Sequence, residues 1–376
     1  MLTKMLSCAQ YELLNFPHAG IGNKLFPGSK NRMGYANSCL AKAMMDYYKK
    51  HVNSEEAREI MEVVQRYYSR WFVGGKKIRS LEEVYMGMAL IDLHQITGND
   101  KYKKAADHIF DYVMNHAMDE TGSLLGDTKS DTRNIANSTV NGASTGIRNV
   151  NNPGNPNSDN YVFAETIGMV CPFLAKYGRI YENAGAYNLA VAQIQNFVQF
   201  GLDEKLVLPY HAYDSQSRMK MGIIGWGQAV GKLMMGMSET LYYMEADKPG
   251  YETVKQAYRR LVDKVEAYQM EGGLYNWQLL AKEGPADTAA SAMILYSVAQ
   301  SIEDKVLIGI HKNRMIRGVE AIKACIQEDG TLPGASAECK GINNYPVVFD
   351  SYPWSIGPAM SLLVLLEEVP TTTPVV

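Results

Sequence analysis

Apolar residues recur at helical spacing along almost the whole chain, in segments separated by clusters of Gly, Pro and Asn. Twelve helices follow from that spacing, near 2–15, 33–50, 54–70, 81–97, 100–115, 163–177, 184–200, 225–244, 250–268, 287–302, 312–327 and 356–368. No alternating Val/Ile/Thr-rich run competes with them. The chain is therefore predicted to be all-α.

The segments are of two kinds, and the kinds alternate. Those at 54–70, 100–115, 250–268 and 312–327 carry charge on one face, as in Lys101-Tyr102-Lys103-Lys104-Ala105-Ala106-Asp107. They read as amphipathic helices with a solvated side. Those at 81–97, 163–177, 225–244, 287–302 and 356–368 are rich in Gly, Ala, Met and Leu nearly all round, as in Ala289-Ala290-Ser291-Ala292-Met293. Such helices are buried on most faces, and small residues let them pack closely. The run Met234-Met235-Gly236-Met237 fits the same picture as core filling. Six inner helices alternating with six outer ones describe an (α/α)6 barrel, a structural repeat without a fixed sequence period. Residues 1–376 are expected to form one such domain.

Loop lengths mark the working end. Inner-to-outer connections are short (Gly98-Asn99, Gly178 to Asn183, Ala246 to Gly250), whereas outer-to-inner ones at 71–80, 116–162, 201–224, 269–286 and 328–355 are long. Every long loop thus falls where the inner-helix N-termini converge, and long ordered loops in a compact domain are usually functional. Those N-termini also turn free N–H groups and positive dipole ends into the mouth. The longest loop, 116–162, is polar and poor in aliphatics, which suits either a structured rim or a disordered segment. A short tail at 369–376 is expected to be disordered.

Composition narrows the functional classes. A formal net charge of −3 without clustered Lys or Arg argues against a nucleic-acid partner. No apolar run reaches the ~18 residues of a membrane span, and Met1 to Gln10 lack the apolar core of a secretory leader. A cytoplasmic protein is expected. The five cysteines (Cys8, Cys39, Cys171, Cys325, Cys339) form no CxxC pair, so buried reduced thiols are expected. There is no GxSxG elbow, GxxxxGK[ST] loop or HExxH pair. Neither a metal site nor a cofactor is expected, and His94, His108 and His116 read as surface or boundary residues.

Several acids and aromatics sit at the predicted inner-helix starts: Glu82, Glu83, Asp159, Glu165, His211 with Asp214, Trp226, Asp287, and Asp350 with Tyr352 and Trp354. Each acid alone suits a helix first turn, where it complements the dipole. Their recurrence at one end with Trp and Tyr points to a sugar pocket. Carboxylates supply general acid and base groups, and aromatic faces stack on sugar rings.

The segment Glu165-Thr166-Ile167-Gly168-Met169-Val170-Cys171-Pro172-Phe173-Leu174-Ala175 resembles the acid-x-x-x-Met-x-x-Pro-Phe-Leu-Ala segment of glycoside hydrolase families 88 and 105. Further matches follow in the same order: Leu81-Glu82-Glu83 through Gly87, Leu208-Pro209-Tyr210-His211, Gly225-Trp226, Thr288 to Met293, and Tyr352-Pro353-Trp354-Ser355-Ile356-Gly357-Pro358. The likeness covers roughly residues 30–368. It implies an oligosaccharide substrate ending in a Δ4,5-unsaturated uronic acid, and hydration of a vinyl ether rather than attack at the anomeric carbon. By that resemblance Glu165 would be the acid/base and Glu82 its partner. His211, Trp226, Trp354, Tyr352 and Asp287 would be substrate contacts. The acid would need a raised pKa, which a second nearby carboxylate can provide.

The departures are equally specific. The family's two key acids are usually Asp, but Glu82 and Glu165 stand here. Lys220-Met221-Gly222-Ile223 replaces Trp-Ala-Arg-Gly, so the motif Trp and Arg are absent. An unsaturated uronyl hydrolase leads; a diverged or non-catalytic carbohydrate-binding barrel and another sugar enzyme such as an epimerase remain open. An epimerase would be expected to use paired histidines, and only His211 is placed at the mouth. The oligomeric state is left open.

Overall fold

The computed structural model describes residues 1–15, 35–126, 160–281, 283–339, 341–342 and 344–367. Asp159, most of loop 116–162 and the tail at 369–376 lie outside them. Among the described residues twelve α-helices form where the spacing predicts. They are α1 (Leu2–Asn15), α2 (Tyr35–Lys50), α3 (Glu55–Val73), α4 (Gly87–Thr97), α5 (Asp100–Met114), α6 (Ala164–Ile180), α7 (Ala184–Phe200), α8 (Gly227–Tyr243), α9 (Tyr251–Val265), α10 (Thr288–Glu303), α11 (Lys312–Cys325) and α12 (Pro353–Leu366). Two helix starts differ by three residues or more, for local reasons. The segment predicted from 81 starts as a 3-10 turn, Leu81–Met86, before α4. The last helix begins earlier than 356, because Pro353 suits a first helical position and the Tyr352 N–H donates to Ser355 Oγ at 3.4 Å.

Packing closes the ring. Helix α2 touches the Leu81–Met86 turn, that turn touches α6, and α6, α8, α10 and α12 follow in succession until α12 returns to α2. Each inner helix is backed by the outer helix that follows it, and α1 backs α12. Glycines set the spacing: a Cβ on Gly168 would lie 2.5 Å from the Lys232 carbonyl oxygen, and one on Gly236 2.5 Å from that of Ile167. No real Cβ fits there, so α6 and α8 meet backbone to backbone. Met234, Met235 and Met237 are buried in this contact layer, as core filling requires.

The all-α prediction omitted the strands of two or three residues, five among the described residues, that lie in the long loops. β1 (Tyr161–Phe163), β2 (Ala212–Asp214) and β3 (Lys220–Met221) form an antiparallel sheet, and β4 (Ala335–Ser336) pairs with β5 (Phe349–Asp350). Runs this short carry no readable alternation. Cysteine burial was only half anticipated: Cys39 and Cys171 are buried, whereas Cys8, Cys325 and Cys339 are partly exposed. Among the described residues no helix is long and apolar enough to cross a membrane.

The inner helices are not purely apolar. Lys42 Nζ lies 2.7 Å from Asp46 Oδ2 and 3.0 Å from Glu239 Oε1, and it donates to the Tyr296 hydroxyl at 2.5 Å. Tyr85 and Tyr296 donate to Glu239, and Ser361 to Asp46. Lys49 bridges Asp46 and Asp92, and Lys176 closes the chain on Asp92 at 2.7 Å. These groups come from every inner helix. The chain ends at a cavity of about 530 Å³ at the base of the barrel, lined by Lys49, Asp92, Lys176 and Tyr243 among others.

Burial raises the Asp46 carboxyl, but Lys42 and Lys49 outweigh it and hold the group at about 2. That value is below the ordinary 3.8, so the unfolded chain binds the proton more readily. The stabilisation is complete above the ordinary value and is lost as pH falls toward 2. Lys42→Met, which leaves Glu239 without its lysine and Asp46 with Lys49 alone, is expected to cost about 3–5 kcal/mol in chemical denaturation at neutral pH. The loss should shrink as the medium is acidified through that window.

Candidate active site

Two short strands set the centre of the mouth. β1 pairs with β2 so that Phe163 stands opposite Ala212. One step further the Ala164 N–H donates to the His211 carbonyl at 2.9 Å. Glu165 therefore enters the first turn of α6 beside the His211 ring, and His211 Nε2 lies 2.9 Å from Glu165 Oε1. Both side chains are buried. His211 Nδ1 lies 2.7 Å from the Tyr345 hydroxyl, which accepts from the Ile223 N–H at 3.1 Å. Glu165 Oε2 is buried without a hydrogen-bond partner. A buried carboxylate oxygen left so is expensive unless a ligand completes it.

Burial by itself raises the Glu165 carboxyl. The charges of His211 and Lys232 and the His211 hydrogen bond outweigh it, and the group is held below the ordinary carboxylate value. This corrects the expectation of a raised value: the charges that prevail over burial at Glu165 are cationic. Lys232, buried on α8, places Nζ 3.7 Å from Glu82 Oε1. Burial works against its charge, while Glu165, Glu82 and Glu338 favour it and leave it above the ordinary lysine value. Glu82 stands in the Leu81–Met86 turn with 37% of its side chain exposed. Its neighbour Glu83 is turned inward and accepts from the Arg79 N–H.

Gly222 stands at the position of the motif arginine and has a left-handed φ of 80°. A Cβ there would collide with the Tyr345 hydroxyl and lie 2.7 Å from His211 Cβ. The space in which a side chain would begin at 222 is thus taken by Tyr345 and His211. Trp226 packs against both, with ring centroids 4.8 Å from His211 and 5.3 Å from Tyr345. Its buried Nε1 has no hydrogen-bond partner.

The remaining candidates gather around Ser336. Tyr352 and Trp354 stack at 4.3 Å, and Trp354 Nε1 donates to the Ser336 carbonyl. Gln228 on α8 donates to the same carbonyl, linking this group to Trp226. Asp287 is fully buried and caps α10: Oδ1 accepts from the Ala289 and Ala290 N–H groups, and Oδ2 accepts from Ser336 Oγ at 2.5 Å. Both its oxygens are engaged by protein, which places it behind the aromatic pair as a support. Asp214 and Asp350 likewise serve their own turns.

Glu165, His211 and Trp226 are therefore in one contacting group. Lys232 joins Glu82 to it, and Trp354, Tyr352 and Asp287 form an adjacent group. Lys232 and Tyr345 were missed. A lysine inside an otherwise apolar helix was a readable signal for the first; Tyr345, in an irregular polar loop, offered none. Among the described residues no group of three or more His, Cys, Asp or Glu is placed to hold a metal ion.

Fold and mouth together define a carbohydrate-active (α/α)6 barrel, with carboxylates and aromatics at the N-terminal ends of the inner helices. The model of Glycosyl Hydrolase Family 88 matches residues 9–370, and the chain belongs to that family. It is 23% identical over 287 residues to the unsaturated rhamnogalacturonyl hydrolase YesR of Bacillus subtilis (strain 168), covering 75% of this chain and 74% of the relative. A possible member of the GH105 family from Klebsiella pneumoniae subsp. pneumoniae MGH 78578 superposes with a TM-score of 0.80 at 15% identity, over 97% of this chain and 92% of that one. The unsaturated glucuronyl hydrolase from Bacillus sp. GL1 superposes at 0.70 and 13% identity, over 98% of each chain. The (α/α)6 architecture and the glycoside hydrolase class implied by the sequence matches are thereby borne out.

Asp287→Ala removes an N-cap and strips Ser336 Oγ of its acceptor. Thermal and denaturant unfolding should show a loss of about 1–2 kcal/mol, while the folded variant keeps its affinity for oligosaccharide in calorimetry.

Proposed function

We propose that the protein hydrolyses oligosaccharides ending in a Δ4,5-unsaturated uronic acid, with Glu165 as acid/base. The observation that carries this reading is the state of Glu165: Oε1 is fixed by His211, and Oε2 is buried, unpartnered and free to meet a substrate atom. Family membership and the activity of the Bacillus subtilis relative support the substrate class.

The chemistry follows from that geometry. With His211 protonated, its Nε2 proton lies on the hydrogen bond to Glu165 Oε1. Passing it across turns an imidazolium–carboxylate pair into an imidazole–carboxylic acid pair. The Glu165 carboxyl then turns its protonated oxygen from the imidazole to C4 and gives the proton there, and the positive charge left at C5 is shared with the ring oxygen. Water adds at C5 and returns a proton to the Glu165 carboxylate. The hemiketal opens to a ketone, C1 becomes a hemiacetal, and its collapse releases the neighbouring sugar. Trp226 and the Tyr352–Trp354 pair provide flat apolar faces beside the reacting ring, and Glu82 is the second acid of the mouth.

Incubation with lyase-generated oligosaccharides should bleach the ultraviolet absorbance of the conjugated C4=C5 bond. Glu165→Gln should lower kcat by about 10²–10⁴, the usual worth of general acid catalysis, with substrate still bound. Because the working form carries a proton, kcat/KM should fall as pH rises, on a limb that belongs to the Glu165–His211 pair as a whole. Full turnover by Glu165→Gln would reduce Glu165 to a helix-terminal carboxylate and remove the mechanism.

A further inference from the structure

Lys232 sits within an almost wholly buried stretch of α8, where an ammonium is tolerated only with partners. Its placement follows from helix packing. The missing side chain of Gly168 lets α8 press on α6 at Lys232, with 2.8 Å between Lys232 Cβ and a Cβ built on Gly168. Glu165 is three residues before Gly168, so it lies on the same face of α6 one turn nearer the mouth. Side chains on a helix lean toward its N-terminus, and the N-terminus of α8 is at the mouth. The lysine stem therefore rises from the Gly168 contact toward the acids.

Its ammonium lies 3.7 Å from Glu82 in the Leu81–Met86 turn, and the charges of Glu165 on α6 and Glu338 in the loop after β4 favour it from further away. His211 faces Glu165 from the other side. Among the described residues Lys232 thus acts on more than one carboxylate, and the partly exposed Glu82 leaves an approach from the mouth. The sequence match sets Gly222 at the motif arginine, and Tyr345 fills that space; among the described residues Lys232 is the lysine that pairs with Glu82.

We propose that Lys232 is a positioning residue that reads the charge of the substrate: its ammonium pairs with Glu82 and acts on Glu165 through space, and it turns to the carboxylate of an incoming uronate, leaving Glu165 to accept the His211 proton. This rests on the uronyl reading above. The energetic logic is competition for one charge. A new carboxylate near Nζ weakens the hold of Lys232 on Glu165 and adds a negative charge beside it, and both changes favour the protonated acid. Proton delivery is then coupled to arrival of an anionic sugar, and a neutral sugar of the same shape would bind without arming the acid.

The test compares full-length wild type, Lys232→Met and Lys232→Arg, with thermal melting to confirm folding; if Lys232→Met does not fold, Lys232→Gln is read in its place. The first readout needs no substrate. The Glu165 carboxyl, assigned by difference against Glu165→Gln in carbon-13 NMR, should titrate at higher pH in Lys232→Met and stay near wild type in Lys232→Arg. An unmoved Glu165 titration in the neutral variant overturns the proposal. The second readout compares an unsaturated uronyl disaccharide with its methyl ester. Wild type should favour the free acid in kcat/KM by on the order of tenfold or more, and Lys232→Met should lose that preference. A preference that survives without Lys232 also overturns the proposal. A wild type that bleaches neither substrate sinks the uronyl reading instead, while the titration still decides whether Lys232 controls Glu165.

Discussion

The barrel is organised around one buried chain of charges. Lys176, Asp92, Lys49, Asp46, Lys42 and Glu239 run from the basal cavity into the middle of the ring, and Tyr85, Tyr296 and Ser361 complete their hydrogen bonds. Apolar packing is non-directional and would tolerate inner helices sliding by a turn. A chain of ion pairs drawing on all six inner helices does not, because a shift leaves an uncompensated charge in a low-dielectric core. The registry of the inner helices, and with it the height at which each presents its first turn, depends on this chain.

The mouth uses the same material differently. At the axis the lysines and carboxylates are matched; at the mouth Lys232 pairs with Glu82, and a Glu165 oxygen is left without a partner. The difference lies in what surrounds them. Lys42 and Glu239 are closed in by inner helices, and Asp92 and Lys176 are buried beside the basal cavity. The mouth groups come from one face of α8, the first turn of α6 and loops held by two- and three-residue strands. Incomplete satisfaction at that point is the expected mark of a site that a ligand completes. The cations beside Glu165 also explain how a family with paired acids tolerates a longer carboxylate here: the β1–β2 pairing and His211 fix its oxygen where the extra methylene would otherwise leave it loose.

Helix positions and their inner or outer character were legible because both are local. The one-faced charge of α5 and the all-round apolar surface of α10 are properties of consecutive residues, and their alternation implies a ring. The working end was legible too, from loop lengths. Glu165, His211 and Trp226 could be nominated because each stands in a recognisable string, the first and last beside a helix start and His211 in the long loop before α8.

The state of those residues was not legible. Glu165 is held as a carboxylate because α8 brings Lys232 against its face and strand pairing brings His211 to its oxygen, contacts that link positions 165, 211 and 232. Asp287 read equally well as a cap or a contact until Ser336, from another loop, was seen to occupy its second oxygen. The sequence by itself determined twelve helices, their alternation and the end that carries the acids, since periodicity and loop length are written in neighbouring residues. Only the tertiary structure decided which acids are charged, which are capped and which lysine stands among them, since protonation and hydrogen bonding depend on groups brought together across the barrel.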